Sequence, residues 1–263
     1  MNDAGDKDKF KMPIFGFKEV VLEFDCNKHG LVQCKTIEIN GKSKAFCPVC
    51  EQEAEREREK LEEADRKIAF ENDKKAKNIE QEYWGKTFDD FEIFSESQQK
   101  ALEAVKNMVE QKHGKVILLG KHGCGKTMLG SIAVDMLGGK IYSMYEISCM
   151  IRQAYSSLAK RTELEIVDEL ATIPMLVIDE IGRSKGSGAE LNWLSYILDK
   201  RHVRRLPFML LTNTHLKKNC ESGGCEECFE NFVDSDILSR LRQDSKVIVI
   251  TDAPDYRIRR HVK

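Results

Sequence analysis

The sequence lacks any apolar run long enough to cross a membrane, since none approaches the roughly 18–20 residues of a transmembrane helix. It also lacks an excess of either charge, because 42 Lys and Arg oppose 44 Asp and Glu for a net charge of -2. Overall charge therefore does not predict nucleic-acid binding, although a local basic patch would be compatible with it. The first 13 residues are polar and mixed in charge, unlike a secretory signal. We expect a cytoplasmic protein without a membrane partner.

Glycine and proline are absent from residues 51–82, which consist mostly of Glu, Lys, Arg and Ala. Such a composition favours a helix, but its apolar stripe is too thin for a convincing coiled coil. We therefore interpret residues 51–84 as a charged, solvated helical linker. It follows a cysteine-containing segment, residues 1–50, and precedes a larger domain that we assign to residues 85–263.

Beyond residue 85, short apolar runs alternate with helical patterns. We predict strands over residues 115–120, 141–145, 175–179, 207–212 and 246–251. We predict helices over residues 127–137, 147–158, 164–170 and 190–202. Strands that alternate with helices indicate a parallel sheet covered on both faces, which is a three-layer α/β fold.

Residues 120–127, GKHGCGKT, match the P-loop pattern, follow a predicted strand and open a predicted helix. The glycines let the backbone curl so that its N–H groups point at a phosphate, which the helix N-terminus also favours. We expect Lys126 to reach the β- and γ-phosphates of ATP and the Thr127 hydroxyl to bind Mg²⁺. The predicted nucleotide-binding residues of this segment are Gly120, Lys121, His122, Gly123, Cys124, Gly125, Lys126, Thr127 and Met128.

Polar side chains follow two of the other predicted strands. Asp179 and Glu180 come at the end of the apolar run MLVI, where ligands of open α/β sheets bind. Asp179 suits Mg²⁺ through water, and Glu180 suits a general base that activates the attacking water. Asn213 ends the next strand and could orient that water, although asparagine also often caps a strand or turn. The sequence therefore predicts a P-loop NTPase that hydrolyses ATP.

Two closely spaced pairs of ligand residues lie near the N-terminus, Cys26 with His29 and Cys47 with Cys50. Cytoplasmic thiols stay reduced, which favours free thiols or metal ligands over disulfides. The seventeen residues between the pairs suit a zinc ribbon or knuckle, in which these four side chains would form a closed tetrahedron. Cys34 is an alternative to His29, and buried reduced cysteines are the alternative to a metal. Since so short a segment has little core, zinc would supply much of its stability.

A second group of candidate ligands follows the predicted strand that ends at residue 212. His215, Cys220, Cys225 and Cys228 lie within fourteen residues of a polar stretch. A second zinc loop and a set of reduced surface thiols are both compatible with this pattern, and the sequence does not choose between them.

Within residues 88–257 the chain resembles the DnaC/IstB-like branch of AAA+ ATPases, the bacterial and phage replicative helicase loaders. The motifs that carry the resemblance are KTFDDF at 86–91, GKHGCGKT at 120–127, LVIDEIGRS at 176–184, LDKRHVRRLPFMLLTN at 198–213, DILSRL at 236–241 and DYR at 255–257. The resemblance implies an AAA+ form of the P-loop fold, preceded here by the zinc module and the charged helix.

The resemblance also implies roles for two further residues. Asn213 would be the sensor-1 residue, and Arg240 would be an arginine finger that acts on the ATP of a neighbouring subunit. Arg242 is a near alternative for the finger. Arg240 could instead pair with Asp236 one helical turn away and have no part in catalysis.

As a function, the resemblance implies a loader whose ATP-bound subunits assemble, hold a hexameric replicative helicase and place it on single-stranded DNA. ATP turnover would then release the loader. One alternative is a transposition-helper ATPase of the same family, which coats DNA and recruits a transposase. A second alternative is a DNA- or protein-binding adaptor with a structural nucleotide, against which the presence of Glu180 argues.

Overall fold

The computed structural model describes residues 18–182, 188–222, 224–225, 228–233 and 235–256. By its contacts the chain divides into two compact units, residues 1–70 and 71–263. The domain borders that we place at residues 50 and 84 remain predictions. No helix of the described part of the chain is both long and apolar enough to span a bilayer.

In the first unit, two antiparallel strands form a hairpin. Strand β1, Lys18–Cys26, pairs with β2, Gly30–Glu38, so that Cys26 lies opposite Gly30. Gly30 has a φ of 70°, a left-handed conformation that favours glycine at the end of a three-residue hairpin loop. The loop therefore returns the chain within three residues and leaves His29 next to Cys26.

The charged stretch is helical as far as Ala76, eight residues short of the end of the predicted linker at residue 84. Helix α1, Pro48–Ala76, opens with a proline, which fits the first turn because that position needs no N–H group. Every residue from 51 to 70 is exposed, in agreement with a solvated helix. Asn78, with a φ of 57°, lies just beyond the helix end, where its backbone N–H bonds to the carbonyl of Lys75.

The second unit contains a parallel sheet of five strands, which confirms the predicted sheet. The strands are β3 (Lys115–Gly120), β4 (Lys140–Ser143), β5 (Leu176–Ile181), β6 (Phe208–Thr212) and β7 (Ser245–Ile250). Their order across the sheet is β4-β5-β6-β3-β7. The carboxyl ends of β3, β5 and β6 consequently meet at one edge, which is where parallel α/β sheets bind ligands.

Helices cover both faces of this sheet, so the predicted three-layer fold is confirmed. Alternate strand residues enter two separate cores: Val116 and Leu118 pack in one, Ile117 and Leu119 in the other. The first core includes residues of α2 (Glu96–Gln111) and α3 (Lys126–Leu137). The second includes residues of α4 (Met144–Ala154), α5 (Glu163–Thr172), α6 (Gly188–Val203) and α7 (Ser235–Arg242).

One predicted strand is too long. We expect a strand over residues 141–145, but β4 ends at Ser143 and α4 begins at Met144. The reason is a capping box: the Ser143 Oγ accepts from the Glu146 N–H at 3.1 Å, and the Glu146 carboxylate accepts from the Ser143 N–H at 2.7 Å. These bonds satisfy the first turn of the helix and stop the strand.

Candidate nucleotide site and metal clusters

The P-loop joins β3 to α3 at the carboxyl edge of the sheet. Gly123 and Gly125 have φ values of 72° and 96°, which glycine adopts without strain. A Cβ on Gly125 would come within 2.5 Å of the Phe91 ring, and a Cβ on Gly123 would overlap the carboxylate of Asp255. Both glycines are therefore required by the backbone conformation and by the close approach of neighbouring side chains.

The amino group of Lys126 is buried at the centre of this edge. Its Nζ donates to the Gly120 carbonyl at 2.8 Å, the Lys121 carbonyl at 2.9 Å and the Asn213 Oδ1 at 2.8 Å. The contact with Asn213 arises because β6 is the direct neighbour of β3 in the sheet. The structure thus brings together the predicted phosphate-binding lysine and the predicted water-orienting amide.

A second contact links the P-loop helix to β5. The Thr127 hydroxyl donates to the Asp179 Oδ2 at 2.8 Å. The other oxygen, Oδ1, accepts from the Glu180 N–H at 2.6 Å. An alcohol and a carboxylate oxygen are hard ligands of the kind that Mg²⁺ prefers, so this donor pair fits the predicted ion.

The backbone of β5 is irregular at Asp179 and Glu180. Its pairing with β6 skips from Ile178 to Ile181, and Glu180 has a φ of 56°. Left-handed backbone in a residue other than glycine costs about 1–3 kcal/mol and is concentrated at functional sites. The bulge directs both acidic residues to the cavity at the sheet edge.

That cavity has a volume of about 1000 Å³, enough for a nucleotide. The predicted residues that line it are His122, Gly123, Cys124, Gly125, Lys126, Thr127, Met128, Asp179, Glu180 and Asn213. Gly120 and Lys121 contribute their carbonyl groups to Lys126 instead. Arg240 and Arg242 belong to α7, but their side chains lie outside the described part of the structure, as do residues 183–187 and Arg257.

Two residues that hydrogen-bond to the P-loop backbone, Gln98 and Tyr256, were not predicted as site residues from the sequence. Buried Gln98 donates through Nε2 to the Cys124 carbonyl and to the Tyr256 hydroxyl, both at 3.3 Å. The backbone N–H of Tyr256 donates to the Gly123 carbonyl at 3.1 Å, and its ring packs edge-on against Phe94. Tyr256 belongs to the DYR motif, which was the available signal.

Four predicted metal ligands converge in the first unit. The Cys26 and Cys50 sulfurs are 3.5 Å apart, and the His29 Nδ1 lies 3.7, 3.5 and 3.3 Å from the sulfurs of Cys26, Cys47 and Cys50. All four ligand atoms lie within 4.8 Å of one another. Cys34 is buried in β2 and is not a member of this group, so the geometry favours His29 over Cys34 as the ligand.

Backbone hydrogen bonds make one of these thiols acidic. The N–H groups of Lys28 and His29 lower the pKa of the Cys26 thiol to about 6. A hydrogen bond with Cys26 raises the pKa of Cys50 to about 12. A thiolate is the form that binds metal, and a cation at the centre of the group would favour it at every sulfur.

Glu53 is a further residue of this cluster that sequence reasoning missed. Its carboxylate lies 3.4 Å from the His29 Nε2 and 2.6 Å from the Lys28 Nζ. Ligand histidines usually donate their second ring N–H to such an acceptor, which fixes the tautomer and the ring orientation. The sequence signal that could have identified Glu53 is its position in α1, about one helical turn after the ligand Cys50.

The second group of predicted ligands also converges. The His215 Nε2 lies 3.2 Å from the Cys225 sulfur and 3.6 Å from the Cys228 sulfur, and these sulfurs are 3.9 Å apart. With Cys220 included, the four ligand atoms lie within 4.8 Å of one another. The structure therefore favours an ordered cluster over dispersed surface thiols.

Residues 49–263 match the family model of the IstB-like ATP binding proteins. The chain belongs to this family. The match includes the nucleotide site and the second Cys/His group, and it begins between Cys47 and Cys50. The greater part of the N-terminal cluster therefore lies outside the region by which the IstB-like family is defined.

Curated relatives of this IstB-like protein are named as helicase loaders. The replicative helicase loader DnaC of Escherichia coli (strain K12) is 25% identical over 181 residues, which cover 66% of this chain and 69% of DnaC. The replicative helicase loader DnaI of Bacillus subtilis (strain 168) is 29% identical over 147 residues, which cover 53% of this chain and 47% of DnaI. The resemblance inferred from the motifs is confirmed.

Solved structures agree on the fold. A crystal structure of the DnaC helicase loader matches with a TM-score of 0.54 at 17% identity, covering 65% of this chain and all of the other. AMPPCP-bound DnaA from Aquifex aeolicus matches with a TM-score of 0.54 at 19% identity, covering 68% of this chain and 53% of DnaA. This IstB-like protein therefore has the AAA+ type of P-loop fold.

Proposed function

We propose that this protein is an ATPase that places a hexameric replicative helicase on single-stranded DNA. The observation that carries the ATPase activity is the convergence of Lys126, Thr127, Asp179, Glu180 and Asn213 at one edge of the sheet. The similarity to DnaC and DnaI supports helicase loading as the use of that activity. We expect it to act in the cytoplasm, where such a helicase and its DNA are found.

Nucleotide binding follows from the residues of the P-loop. The backbone N–H groups of residues 121–127 and the N-terminus of α3 attract the phosphates, and Lys126 neutralises the β- and γ-phosphates. Thr127 and Asp179 would hold Mg²⁺, which neutralises charge on the phosphate oxygens when it is bound. Because Lys126 contacts Asn213 directly, a γ-phosphate that takes over Lys126 would release the Asn213 amide.

Hydrolysis then requires a positioned water and a base. The released Asn213 amide orients a water in line with the γ-phosphorus, and Glu180 accepts a proton from that water. The new P–O bond forms as the bond between the γ-phosphorus and the β–γ bridging oxygen breaks, and ADP leaves with the bridging oxygen. Arg240 of an adjacent subunit is the proposed cation that stabilises charge on the transferring group.

The N-terminal cluster is proposed to bind one structural Zn²⁺ through Cys26, His29, Cys47 and Cys50. Its four ligand atoms have the compact arrangement of a closed tetrahedral site, with Glu53 as the outer partner of His29. Zinc would join the hairpin to the start of α1, a segment in which apolar side chains such as Val21, Leu31 and Ile37 are exposed.

The test of helicase loading uses closed circular single-stranded DNA, onto which a hexameric ring cannot thread. We expect the protein with ATP to form a complex with the replicative helicase and to deliver it to the circle. Lys126→Ala, which cannot hold the phosphates, should fail in the same assay. A protein that hydrolyses ATP but neither binds nor delivers the helicase contradicts the proposal, and recovery of a transposase from native extract would favour a transposition helper.

A further inference from the structure

The second Cys/His group is built from two short segments that the backbone holds side by side. His215 and Cys228 form a parallel bridge, and the Phe229 N–H donates to the His215 carbonyl at 2.8 Å. The amide of Asn231 donates to the Cys225 carbonyl at 2.7 Å, which holds Cys225 next to the segment that follows Cys228. The ligand positions are therefore set by ordered backbone on both sides.

The distances between ligand atoms agree with those of a tetrahedral zinc site. Zn–S bonds of about 2.3 Å and Zn–N bonds of about 2.0–2.1 Å, at tetrahedral angles, separate two sulfurs by about 3.8 Å and a sulfur from a nitrogen by about 3.5 Å. The Cys225 and Cys228 sulfurs are 3.9 Å apart, and the His215 Nε2 lies 3.2 and 3.6 Å from them. A disulfide would need about 2.05 Å between sulfurs.

A backbone hydrogen bond supports a metal-bound thiolate in this group. The Cys225 N–H donates to the Cys228 sulfur at 3.3 Å. The N-terminal cluster also has an N–H to sulfur bond within its cysteine pair, but with the opposite direction along the chain, from the Cys50 N–H to the Cys47 sulfur at 3.4 Å. Both clusters thus contain two cysteines at Cys-x2-Cys spacing, one further cysteine and one histidine.

One end of the loop is anchored in the core and the other at the nucleotide site. Cys228, Phe229 and Val233 are buried, and Val233 lies two residues before α7. His215 lies two residues beyond Asn213. Between these ends, residues 217–219 and 221–222 are exposed, so the hydrophobic core orders little of the loop.

We propose that His215, Cys220, Cys225 and Cys228 bind a second structural Zn²⁺. The ion closes the loop between β6 and α7. It thereby sets the spacing between Asn213, which directly follows β6, and the helix that carries Arg240. This positioning role rests on the proposed function, whereas the metal site rests only on the ligand geometry.

Both ends of the loop also touch the backbone that follows Glu180. A Cβ on Gly182 would come within 2.6 Å of the Thr214 methyl group and 3.0 Å of the Phe232 ring. The Thr212 hydroxyl donates to the Ile181 carbonyl at 2.5 Å and contacts the Thr214 hydroxyl at 2.8 Å. A loop that loses its metal would therefore loosen contacts that lie next to the catalytic base.

Zinc content measured by mass spectrometry of the full-length protein tests the site without reference to ATP hydrolysis. We expect two ions per chain in the wild type and in the Cys149→Ser control, whose thiol lies on α4. The paired variant Cys220→Ser/Cys225→Ser should retain one ion, and so should Cys47→Ser/Cys50→Ser. The proposal would be overturned if the wild type bound one ion, Cys220→Ser/Cys225→Ser kept that ion and Cys47→Ser/Cys50→Ser lost it.

A variant that exchanges one ligand for another distinguishes loss of a ligand from loss of zinc through misfolding. In the Cys47→Ser/Cys50→Ser background, X-ray absorption should find the remaining zinc bound to three sulfurs and one nitrogen. His215→Cys in that background should keep the ion and change its ligands to four sulfurs. If His215→Cys left the ligands of the zinc unchanged, His215 would not be a ligand. If the Cys47→Ser/Cys50→Ser protein bound ATP but no zinc, the second zinc site would be contradicted.

Discussion

Glu180 lies at a β-bulge in the strand that carries Asp179, and its left-handed φ of 56° is a conformation that side chains other than glycine rarely adopt. Neighbouring contacts hold this conformation: the Glu180 N–H bonds to Asp179, which in turn accepts from Thr127. The strain therefore serves to direct two successive carboxylates to the same cavity.

Glu180→Gln should retain ATP binding and lose hydrolysis, since an amide has nearly the same shape as the carboxylate but cannot accept the proton of the attacking water. We expect turnover to fall by about 10²–10⁴-fold, the usual contribution of a general base. ATP binding by fluorescence titration and phosphate release measure the two effects separately. Glu103→Gln, at an exposed position of α2, is the matched control, and wild-type turnover in Glu180→Gln would exclude this residue as the base.

Glu53 offers a residue-scale test of the N-terminal metal site. Glu53→Gln weakens the acceptor for the His29 ring, and outer partners of this kind contribute about 10–100-fold to metal affinity. We expect a chelator to remove one zinc ion at correspondingly lower concentration, with ATP binding unchanged. Glu55→Gln, exposed on the same helix, should behave as the wild type, and equal zinc retention by both variants would argue against a role for Glu53.

At the scale of elements, one buried arginine connects two strands of the sheet to the helices that precede them. Arg201, at the end of α6, donates to the carbonyls of Leu170 and Ile173 at 2.9 and 2.8 Å, and to those of Pro174 and Pro207 at 3.2 and 2.6 Å. These carbonyls belong to the end of α5 and to the connections that enter β5 and β6. Burial lowers the pKa of Arg201 to about 9, so its charge is retained at neutral pH.

Arg201→Met should therefore destabilise the nucleotide-binding unit, because it leaves four carbonyl groups without this donor. A loss of about 3 kcal/mol or more is expected, since each buried polar group left unsatisfied costs about 1–3 kcal/mol. Urea denaturation followed by circular dichroism measures the change. Arg204→Ala, at an exposed position in the same sequence motif, should change the midpoint little, and equal midpoints for the two variants would refute this role.

At the scale of the whole molecule, the residues proposed to catalyse ATP hydrolysis come from two adjacent subunits. Lys126, Asp179, Glu180 and Asn213 belong to one chain's cavity. Arg240 is proposed, from the family resemblance, to act on the ATP of a neighbouring subunit. An assembly of this kind makes hydrolysis depend on the oligomer, which suits a protein whose nucleotide state controls the release of a partner.

Mixing two inactive variants tests this division. Arg240→Ala should bind ATP nearly normally and hydrolyse it about 10³–10⁵-fold more slowly, the range known for arginine fingers in other NTPases. Mixed with Glu180→Gln subunits, it should regain part of the activity, since composite sites then contain an intact Glu180 and an intact Arg240. No recovery in mixtures that demonstrably co-assemble would mean that Arg240 acts within its own chain or only stabilises α7.

The parallel sheet, the charged helix and the P-loop could be predicted from the sequence because their signals are local. Each buried strand is a short apolar run, the charged stretch has high helix propensity, and GKHGCGKT matches a specific motif whose glycines permit the tight phosphate-binding turn. The strand boundary at Ser143 was less predictable, because a capping box competes with β propensity over two residues.

Contacts between distant residues were decided by the tertiary structure. Lys126 meets Asn213, 87 positions away, only because β6 inserts next to β3. Gln98 reaches the Cys124 carbonyl because α2 packs beside the P-loop. Arg201 donates to carbonyls that lie before β5 and before β6, which are far apart in the sequence. The choice of His29 over Cys34 likewise depends on the hairpin register, which buries Cys34 within β2 and leaves His29 at the turn. The sequence determined which residues could bind a phosphate or a metal. Strand order and register determined which of these residues come into contact, because tertiary packing joins residues that are far apart in the sequence.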